Sequence, residues 1–275
     1  MQKTDNLKIK IVNIKNEILG MTYPKRAKGL VKNGRAYYID NETICIKEEY
    51  KMEKRKSLGK IKIPNYSLSE ELISSISHGF GAALSIAMLV LCVVFASIHH
   101  DPYAVVSSAI YGGTSVILYT MSTLYHSFKV NNAKRLFRII DHCSVFLLIA
   151  GTYTPYALVT LREANVALGW TVFGVIWLAA IIGIVLTVLD MNKYRKLGLI
   201  LYLVMGWMII FTYNTLASNL AKTGLVYLVL GGVIYTLGAL LYVVGKKVKY
   251  MHSVFHFFVI AASIMFFFSI FFYVI

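Results

Sequence analysis

Residues 252–275 read HSVFHFFVIAASIMFFFSIFFYVI, an apolar run that opens on two histidines. A helix that spans a bilayer needs about 20 predominantly apolar residues, so this run predicts a membrane span. His252 and His256 are four residues apart, and on a helix their imidazoles therefore lie on one face. Such a pair predicts two ligands of a metal ion, although two polar residues at a membrane interface would look the same in the sequence.

The composition of the whole chain indicates an integral membrane protein. Of its 275 residues, 57% are hydrophobic and 15% are charged, which is too much apolar surface for a water-soluble core. The net charge of +15 does not indicate nucleic-acid binding, because 16 of the 28 Lys and Arg precede His78 and the others lie in short gaps between apolar runs. This is the pattern of cytoplasmic membrane flanks. We expect membrane lipid as the partner, with anionic headgroups at the basic cytoplasmic face, and no nucleic acid.

The first 66 residues are polar and predict a small appendage followed by a linker. Residues 7–14 alternate in part between apolar and polar, and Lys32-Asn-Gly-Arg35 is typical of a type I′ hairpin, so we expect a β-rich cytoplasmic appendage over residues 1–50. Residues 51–66 are expected to be a basic linker, either on anionic headgroups or solvated. Ser67-Leu-Ser-Glu70 reads as a capping box, which predicts a short interfacial helix at the start of the membrane domain, residues 67–275.

Seven apolar stretches predict an all-α membrane protein, a seven-transmembrane helix bundle. They cover residues 78–98, 103–125, 139–161, 167–189, 197–217, 223–244 and 252–275. The gaps after spans two, four and six hold four, three and three Lys or Arg, whereas those after spans one, three and five hold none, one and one. Because basic residues near span ends stay in the cytoplasm, we expect the N-terminus inside and the C-terminus outside the cell membrane.

This topology gathers polar side chains at the cytoplasmic end of the bundle. Ser122 and His126 share a helix face, and the imidazoles of His126, His252 and His256 can meet between spans two and seven. Three histidines leave the fourth corner of a zinc tetrahedron open, as in catalytic sites. Asp141, at the predicted start of span three, can accept a proton from water, and Ser122 can bond to that water or to an oxyanion. The middles of the spans hold no Asp, Glu, Lys, Arg or His, which does not favour a proton pump or an ion-coupled transporter.

Each of these residues has a structural alternative. Asp141 can be an N-cap, and Ser122 can bond to the carbonyl group four residues before it. His142 points about 100° away from Asp141 around the helix, and we expect it to contact headgroups. Glu71 and His78 share a helical face, and we expect them around the metal or at a substrate gate rather than among the ligands.

In combination, these motifs resemble the bacterial haemolysin III family of the progestin and adipoQ receptor group, which includes the adiponectin receptors and is related to the alkaline ceramidases. The motifs are Glu71-x-x-Ser-x-x-Ser-His78-Gly79, Ser122-x-x-x-His126 followed by Asp141, and His252-x-x-x-His256. The resemblance covers residues 66–275 and implies a zinc ion near the cytoplasmic face, with the three histidines as ligands and Ser122 and Asp141 beside the bound water. Ser74 stands where the family often has Asn, and the first 65 residues have no counterpart.

The first hypothesis for the function is a zinc-dependent hydrolase of a lipid amide or ester at the cytoplasmic leaflet. A non-catalytic sensor or receptor-like protein in membrane homeostasis is the second hypothesis, and a cytolytic membrane protein is the third. Paired histidines can also bind haem. The cysteines, Cys45, Cys92 and Cys143, predict neither a disulfide framework nor a cysteine zinc site.

Overall fold

A computed structural model describes residues 8–46, 61–99 and 101–275. The chain divides into two compact units, Met1–Lys60 and Ile61–Ile275, and the division falls within the predicted basic linker. Residues 51–60 of that linker and His100 lie outside the described residues. The two units are therefore described one at a time.

The N-terminal unit is a small sheet with one helix, so a β-rich appendage is present as predicted. The elements are β1 (Ile9–Val12), β2 (Ile18–Thr22), α1 (Pro24–Lys32), β3 (Ala36–Asp40) and β4 (Thr43–Ile46). The strand order is β2-β1-β4-β3, in which β1 and β4 are parallel and the other two pairs are antiparallel. Ile9, Ala27, Ala36 and Ile44 form its buried core.

The predicted type I′ hairpin at residues 32–35 is wrong, because these residues end a helix. Pro24 occupies the first turn of α1, where its missing N–H costs nothing. Gly34 has a φ of +69°, and the N–H groups of Gly34 and Arg35 donate to the carbonyls of Val31 and Leu30 at 3.0 Å each. Gly adopts a left-handed backbone conformation easily, and both the end of a helix and a type I′ hairpin use such a residue. The sequence Asn-Gly therefore fits either structure.

The second unit is helical. Its elements are α2 (Leu68–Ile98), α3 (Pro102–Ser127), α4 (Asn132–Pro155), a π-helical stretch (Tyr156–Leu161), α5 (Arg162–Ala164), α6 (Val166–Trp207), a 3₁₀ stretch (Met208–Thr212), α7 (Tyr213–Asn219), α8 (Lys222–Val244) and α9 (Met251–Tyr273). Within the described residues, six helical segments are long and apolar enough to cross a membrane. They are Leu68–Ile98, Pro102–Ser127, Asn132–Ala164, Val166–Asn219, Lys222–Val244 and Met251–Tyr273.

The segment Val166–Asn219 accounts for the difference between six segments and seven predicted stretches. Asp190 inside α6 has non-helical backbone angles, φ −159° and ψ 88°. The ring of Phe146 contacts both Tyr202, at 4.3 Å between ring centroids, and the backbone of Gly183. Along a straight helix, two residues 19 positions apart would be about 28 Å from each other. The chain therefore folds back at Asp190, and the two halves of α6 pack against the same part of α4.

The start of α2 has the predicted capping box but no separate interfacial helix. The Ser67 side chain accepts from the Glu70 N–H, and the Glu70 carboxylate accepts from the Ser67 N–H. The helix then runs without a break from Leu68 to Ile98, so a short helix distinct from the first span was a wrong prediction. This stretch contains no proline that would break the helix.

Buried tyrosines join α3 and α8 to α9 near the middle of the last helix. The Tyr119 hydroxyl donates to the Ser263 hydroxyl at 2.7 Å, and the Tyr235 hydroxyl lies 2.8 Å from the same oxygen. In an apolar core each of these polar groups needs a partner. The hydrogen bonds thus fix the rotation of α9, and with it the face on which its histidines lie.

Candidate metal centre

The first turn of α9 is held against the first turns of α2. Tyr250 precedes α9 with a φ of +63°, and its N–H donates to the Glu70 carboxylate at 2.8 Å. The Ser253 hydroxyl lies 3.1 Å from both the Glu70 carbonyl oxygen and the Ser74 hydroxyl. Ser74, where the related family often has Asn, is therefore a contact between α2 and α9. These bonds place the start of α9, including His252, at the capped end of α2.

His252 and His256 lie on the same buried face of α9. Their exposed fractions are 7% and 1%, and their Nε2 atoms are 3.3 Å apart. Two nitrogens at 2.0–2.1 Å from a tetrahedral ion are about 3.3–3.4 Å from each other. The separation in this protein therefore equals one edge of a tetrahedral metal site.

His126, in the last turn of α3, completes a cluster of three buried histidines. Its ring centroid lies 5.4 Å from that of His252 and 4.8 Å from that of His256. One ligand atom from each of the three residues lies within 4.8 Å of the others. The Nε2 atom of His126 is buried and has no hydrogen-bond partner among the described residues. Three imidazoles with an unpartnered nitrogen between them form a donor set that suits zinc.

Glu71 orients His126 from the side opposite the cluster. One carboxylate oxygen accepts from Nδ1 of His126 at 2.7 Å, and the other accepts from Nζ of Lys134 at 2.7 Å. A carboxylate can only accept, so Nδ1 of His126 carries a proton and the lone pair of the neutral ring belongs to Nε2. Histidine ligands of metals commonly have such a partner.

Lys134 was not predicted to belong to the site. It had been counted among the loop cations, yet it is only 2% exposed and also donates to the Phe128 carbonyl at 3.0 Å. Its ammonium group lies 5.0 Å from the centre of the Tyr125 ring. The Glu71 carboxylate therefore connects a buried cation of α4 to the histidine of α3.

Asp141 and Ser122 face the same cavity as His252 and His256. The two side chains lie close enough to interact, and the Asp141 carboxylate is 3.5 Å from Nδ1 of His142. Asp141 is not at a helix start, because α4 begins at Asn132 and its N-cap is Asn131. The N-cap alternative for Asp141 is therefore wrong, and its carboxylate faces the cavity beside Ser122 and His142.

His142 and His78 lie beside the cluster but outside it. Nδ1 of His142 is 3.0 Å from the Arg138 carbonyl oxygen, and Nε2 is 3.4 Å from the Tyr242 hydroxyl. His78 is 3% exposed, and its ring centroid is 3.9 Å from that of His256. Neither ring nitrogen of His78 has a hydrogen-bond partner among the described residues. The headgroup contact expected of His142 and the place around the metal expected of His78 stay predictions.

Tyr66 is a neighbour of the site for which the sequence carried no signal. It lies just before α2, and its ring stacks on that of His252 with 4.6 Å between centroids and 13° between planes. Burial raises the pKa of the Tyr66 phenol, so the hydroxyl stays protonated. The stacked ring covers one face of the His252 imidazole.

An apolar cavity extends from the histidines along the inside of the bundle. At one end it is lined by Asp141, His252 and His256, and at the other by Tyr156 and Phe266. Because α9 rises about 1.5 Å per residue, the distance from His252 to Phe266 is about 21 Å. This exceeds the ~15 Å that half of a bilayer core measures. A long acyl chain therefore has room along this direction.

Comparisons with known proteins agree on one family. The sequence profile of the haemolysin-III-related family matches residues 66–267. The chain is 40% identical over 208 residues to Hemolysin-3 of Bacillus cereus, which covers 76% of this chain and 93% of that protein. It is 36% identical over 208 residues to the Hemolysin-3 homolog of Bacillus subtilis (strain 168), covering 76% and 96%. It is 28% identical over 176 residues to the human monocyte to macrophage differentiation factor, covering 62% and 71%. No solved structure matches the chain significantly.

Proposed function

The chain belongs to the haemolysin III-related family and is a multi-pass membrane protein, and on that premise we propose that it is a zinc-dependent hydrolase of a lipid amide or ester. The observation that carries the proposal is the cluster of three buried histidines at the end of an apolar cavity. The cavity also holds Asp141 and Ser122, which can move a proton and stabilise an oxyanion. The carbonyl group of a lipid bound at this end of the cavity would lie beside both Asp141 and Ser122.

The proposed arrangement has seven spans, with the N-terminus in the cytoplasm. Counting the two halves of α6 as separate spans gives seven, and the excess of Lys and Arg at the end of the bundle that holds the histidines supports a cytoplasmic site. In a cysteine-free background, Lys247→Cys should react with an impermeant maleimide only from the cytoplasmic side. Ser218→Cys should react only from outside. The reverse pattern would refute the orientation.

His126, His252 and His256 are the residues that would hold the zinc ion. Their buried nitrogens and the 3.3 Å separation of His252 and His256 fit the donor set and edge length of a tetrahedral site. A zinc ion bound by three histidines acts as a Lewis acid and lowers the pKa of water from 15.7 to about 7. Glu71 holds the His126 ring with its Nε2 towards the cluster.

The remaining steps belong to the side chains of the cavity. The carboxylate of Asp141 accepts the proton of the attacking water, whose oxygen forms a bond to the carbonyl carbon of the lipid. The Ser122 hydroxyl donates a hydrogen bond to the oxyanion that develops. Asp141 then returns the proton to the leaving amine or alcohol as the C–N or C–O bond breaks. The apolar walls hold the acyl chain and exclude bulk water.

Metal analysis of the purified protein is the first test. We expect one zinc per chain in the wild type, and loss of zinc in the His252→Ala/His256→Ala double variant. His142→Ala removes a neighbouring imidazole outside the cluster and should keep its zinc, which makes it the matched control. Stoichiometric copper or haem instead of zinc would refute the metal assignment.

Lipid turnover is the second test. Purified protein in micelles is offered ceramides and acyl lipids, and released fatty acid is measured by mass spectrometry. Asp141→Asn should stay folded and zinc-loaded but lose at least a hundredfold in rate, as expected when a general base is removed. Stoichiometric zinc without turnover of any of these lipids would count against catalysis.

A non-catalytic sensor is the second candidate, because the histidines come from both α3 and α9, and Glu71 adds α2. A metal ion there would tie these helices together whether or not it cleaves a bond. This hypothesis expects Asp141→Asn to behave as wild type in cells, whereas ligand variants lose the phenotype. The hydrolase hypothesis expects both Asp141→Asn and the ligand variants to lose the phenotype.

The name of the Bacillus relatives, Hemolysin-3, suggests membrane lysis as a third candidate. The six membrane-length segments of the described residues carry their Asp, Glu, Lys and Arg side chains towards the segment ends and at the fold-back around Asp190. That distribution does not favour a polar pore. Dye leakage from liposomes at low protein density should stay at background in wild type and ligand variants alike.

A further inference from the structure

A second pocket, here called the basic pocket, adjoins the metal centre. It measures about 670 Å³, which is within the ~300–1,000 Å³ range of ligand sites. It shares four lining residues with the apolar cavity, namely His142, Arg195, Tyr242 and His252. The two spaces therefore adjoin at these four side chains, of which His252 belongs to the histidine cluster.

Cations dominate the lining of the basic pocket. Its Lys and Arg residues are Lys62, Arg138, Arg195, Lys246, Lys247 and Lys249. The acidic residue in the lining is Glu70, and its carboxylate already accepts hydrogen bonds from Ser67 and from the Tyr250 N–H. A single carboxylate leaves most of the positive charge of these six residues without a counterion in the lining.

Arg138 is the buried member of this group. The residue is 4% exposed, and one of its terminal nitrogens donates to the Lys62 carbonyl oxygen. Its Nε is buried without a hydrogen-bond partner, and no carboxylate lies within ion-pair distance of the guanidinium among the described residues. Burying a charge without a counterion is costly. An anion bound in the pocket would remove that cost.

Arg195 and Lys246 add two further cations beside Arg138. Burial, Arg195 and Arg138 together lower the pKa of Lys246, so each guanidinium lies close enough to repel its ammonium group. The ammonium group of Lys246 lies 4.9 Å from the centre of the Tyr242 ring. In the part of the chain that the structure describes, neither Arg195 nor Lys246 has an acidic partner within ion-pair distance.

We propose that the basic pocket binds the phosphate group of a lipid whose acyl chain enters the apolar cavity. Planar guanidinium groups bind phosphate oxygens in pairs, and a lysine adds a point charge. Free phosphate shares this chemistry, but the apolar cavity that adjoins the pocket favours a phospholipid. The inference rests on the proposed function only in identifying this lipid as the substrate; binding itself requires neither zinc nor turnover.

Native mass spectrometry of the full chain in neutral micelles tests the proposal. The probes are dioctanoyl phosphatidic acid and dioctanoylglycerol, which have the same acyl chains and differ in the phosphate. Wild type should bind the phosphatidic acid at least tenfold more tightly. Arg195→Gln/Lys246→Gln should abolish this preference while leaving dioctanoylglycerol binding unchanged. Both residues are exposed, so these changes should leave folding intact.

Lys193→Gln/Lys196→Gln is the matched control, because it removes two positive charges from the neighbouring helical turns outside the pocket. It should keep the preference. Equal affinity of the wild type for both lipids, or an equal loss in the control, would overturn the proposal. Inorganic phosphate is the second arm: if it removes the preference at concentrations as low as the phosphatidic acid itself, the site takes free phosphate and the lipid assignment is wrong.

A third variant separates this inference from the proposed hydrolase. His256→Ala removes a predicted zinc ligand that does not line the basic pocket. The preference for phosphatidic acid should persist in this variant although zinc is lost. If the wild type instead hydrolyses lipids but shows no preference for phosphate, the hydrolase stands and the inference fails.

Discussion

The bridge that Glu71 makes between His126 and Lys134 leads to the sharpest prediction. Both partners of the carboxylate are donors, at 2.7 Å each. Glutamine has the same shape but only one acceptor oxygen, so Glu71→Gln must leave one donor facing an NH₂ group. Leaving a buried donor unpaired costs about 1–3 kcal/mol. Removing the carboxylate that orients a histidine ligand lowers metal affinity by about 10–100-fold.

We therefore expect Glu71→Gln to weaken zinc binding by about 1.4–2.8 kcal/mol and to lower the melting temperature in micelles. Zinc affinity is measured by competition with a fluorescent chelator, and melting with and without zinc. Glu163→Gln, an exposed carboxylate in α5, is the control for a lost charge.

The double variant Glu71→Gln/Lys134→Met isolates the cause. Without the ammonium group, the glutamine oxygen is free to accept from Nδ1 of His126, so part of the zinc affinity and of the stability should return. The size of this recovery measures the interaction energy between residues 71 and 134, which single variants cannot give. Wild-type zinc affinity in Glu71→Gln, or a double variant no better than the single one, would refute the reasoning.

Two further predictions concern the fold-back of α6. Gly183→Ala would place a Cβ 2.3 Å from the fully buried ring of Phe146 and should lower the free energy of unfolding, measured by thermal melting, by about 1–3 kcal/mol. Gly174→Ala is the control: its Cβ would have nothing within 4 Å, so the change should be neutral or slightly stabilising. Asp190→Ala removes the side chain that accepts from the Lys193 N–H at 3.1 Å and should cost about 1 kcal/mol in the same assay. Equal melting temperatures of the two glycine variants would contradict the packing of Gly183 on Phe146. An unchanged melting temperature of Asp190→Ala would contradict the role of Asp190 in the turn.

The depth of polar groups in a membrane helix could be predicted from sequence alone, because the number of residues from a span end sets it. Ser122 and His126 end one span, and His252 and His256 begin another, so similar depth followed from counting. Counting does not say which helices are neighbours. The hydrogen bonds of Tyr119 and Tyr235 to Ser263, which determine the rotation of α9, join residues far apart in the sequence.

Helix ends were predicted less well than apolar runs, for a physical reason. Hydropathy detects the lipid-facing part of a helix, whereas the helix itself continues until its backbone is capped. Thus α4 begins at Asn132, about two turns before the apolar run that starts at residue 139. Lys134 and Arg138 therefore lie on a helix rather than in a loop.

Lys134 and Arg138 were counted as loop charges, but burial gives them a further role. Both contributed to the predicted orientation, yet their exposed fractions are 2% and 4%. Lys134 faces a carboxylate 63 positions away in the sequence, and Arg138 faces none among the described residues. A cation that is buried beside its carboxylate is satisfied, whereas one that is buried without a carboxylate among the described residues would be stabilised by a bound anion. The difference between two basic residues one helical turn apart is therefore the strongest argument that the basic pocket binds a ligand.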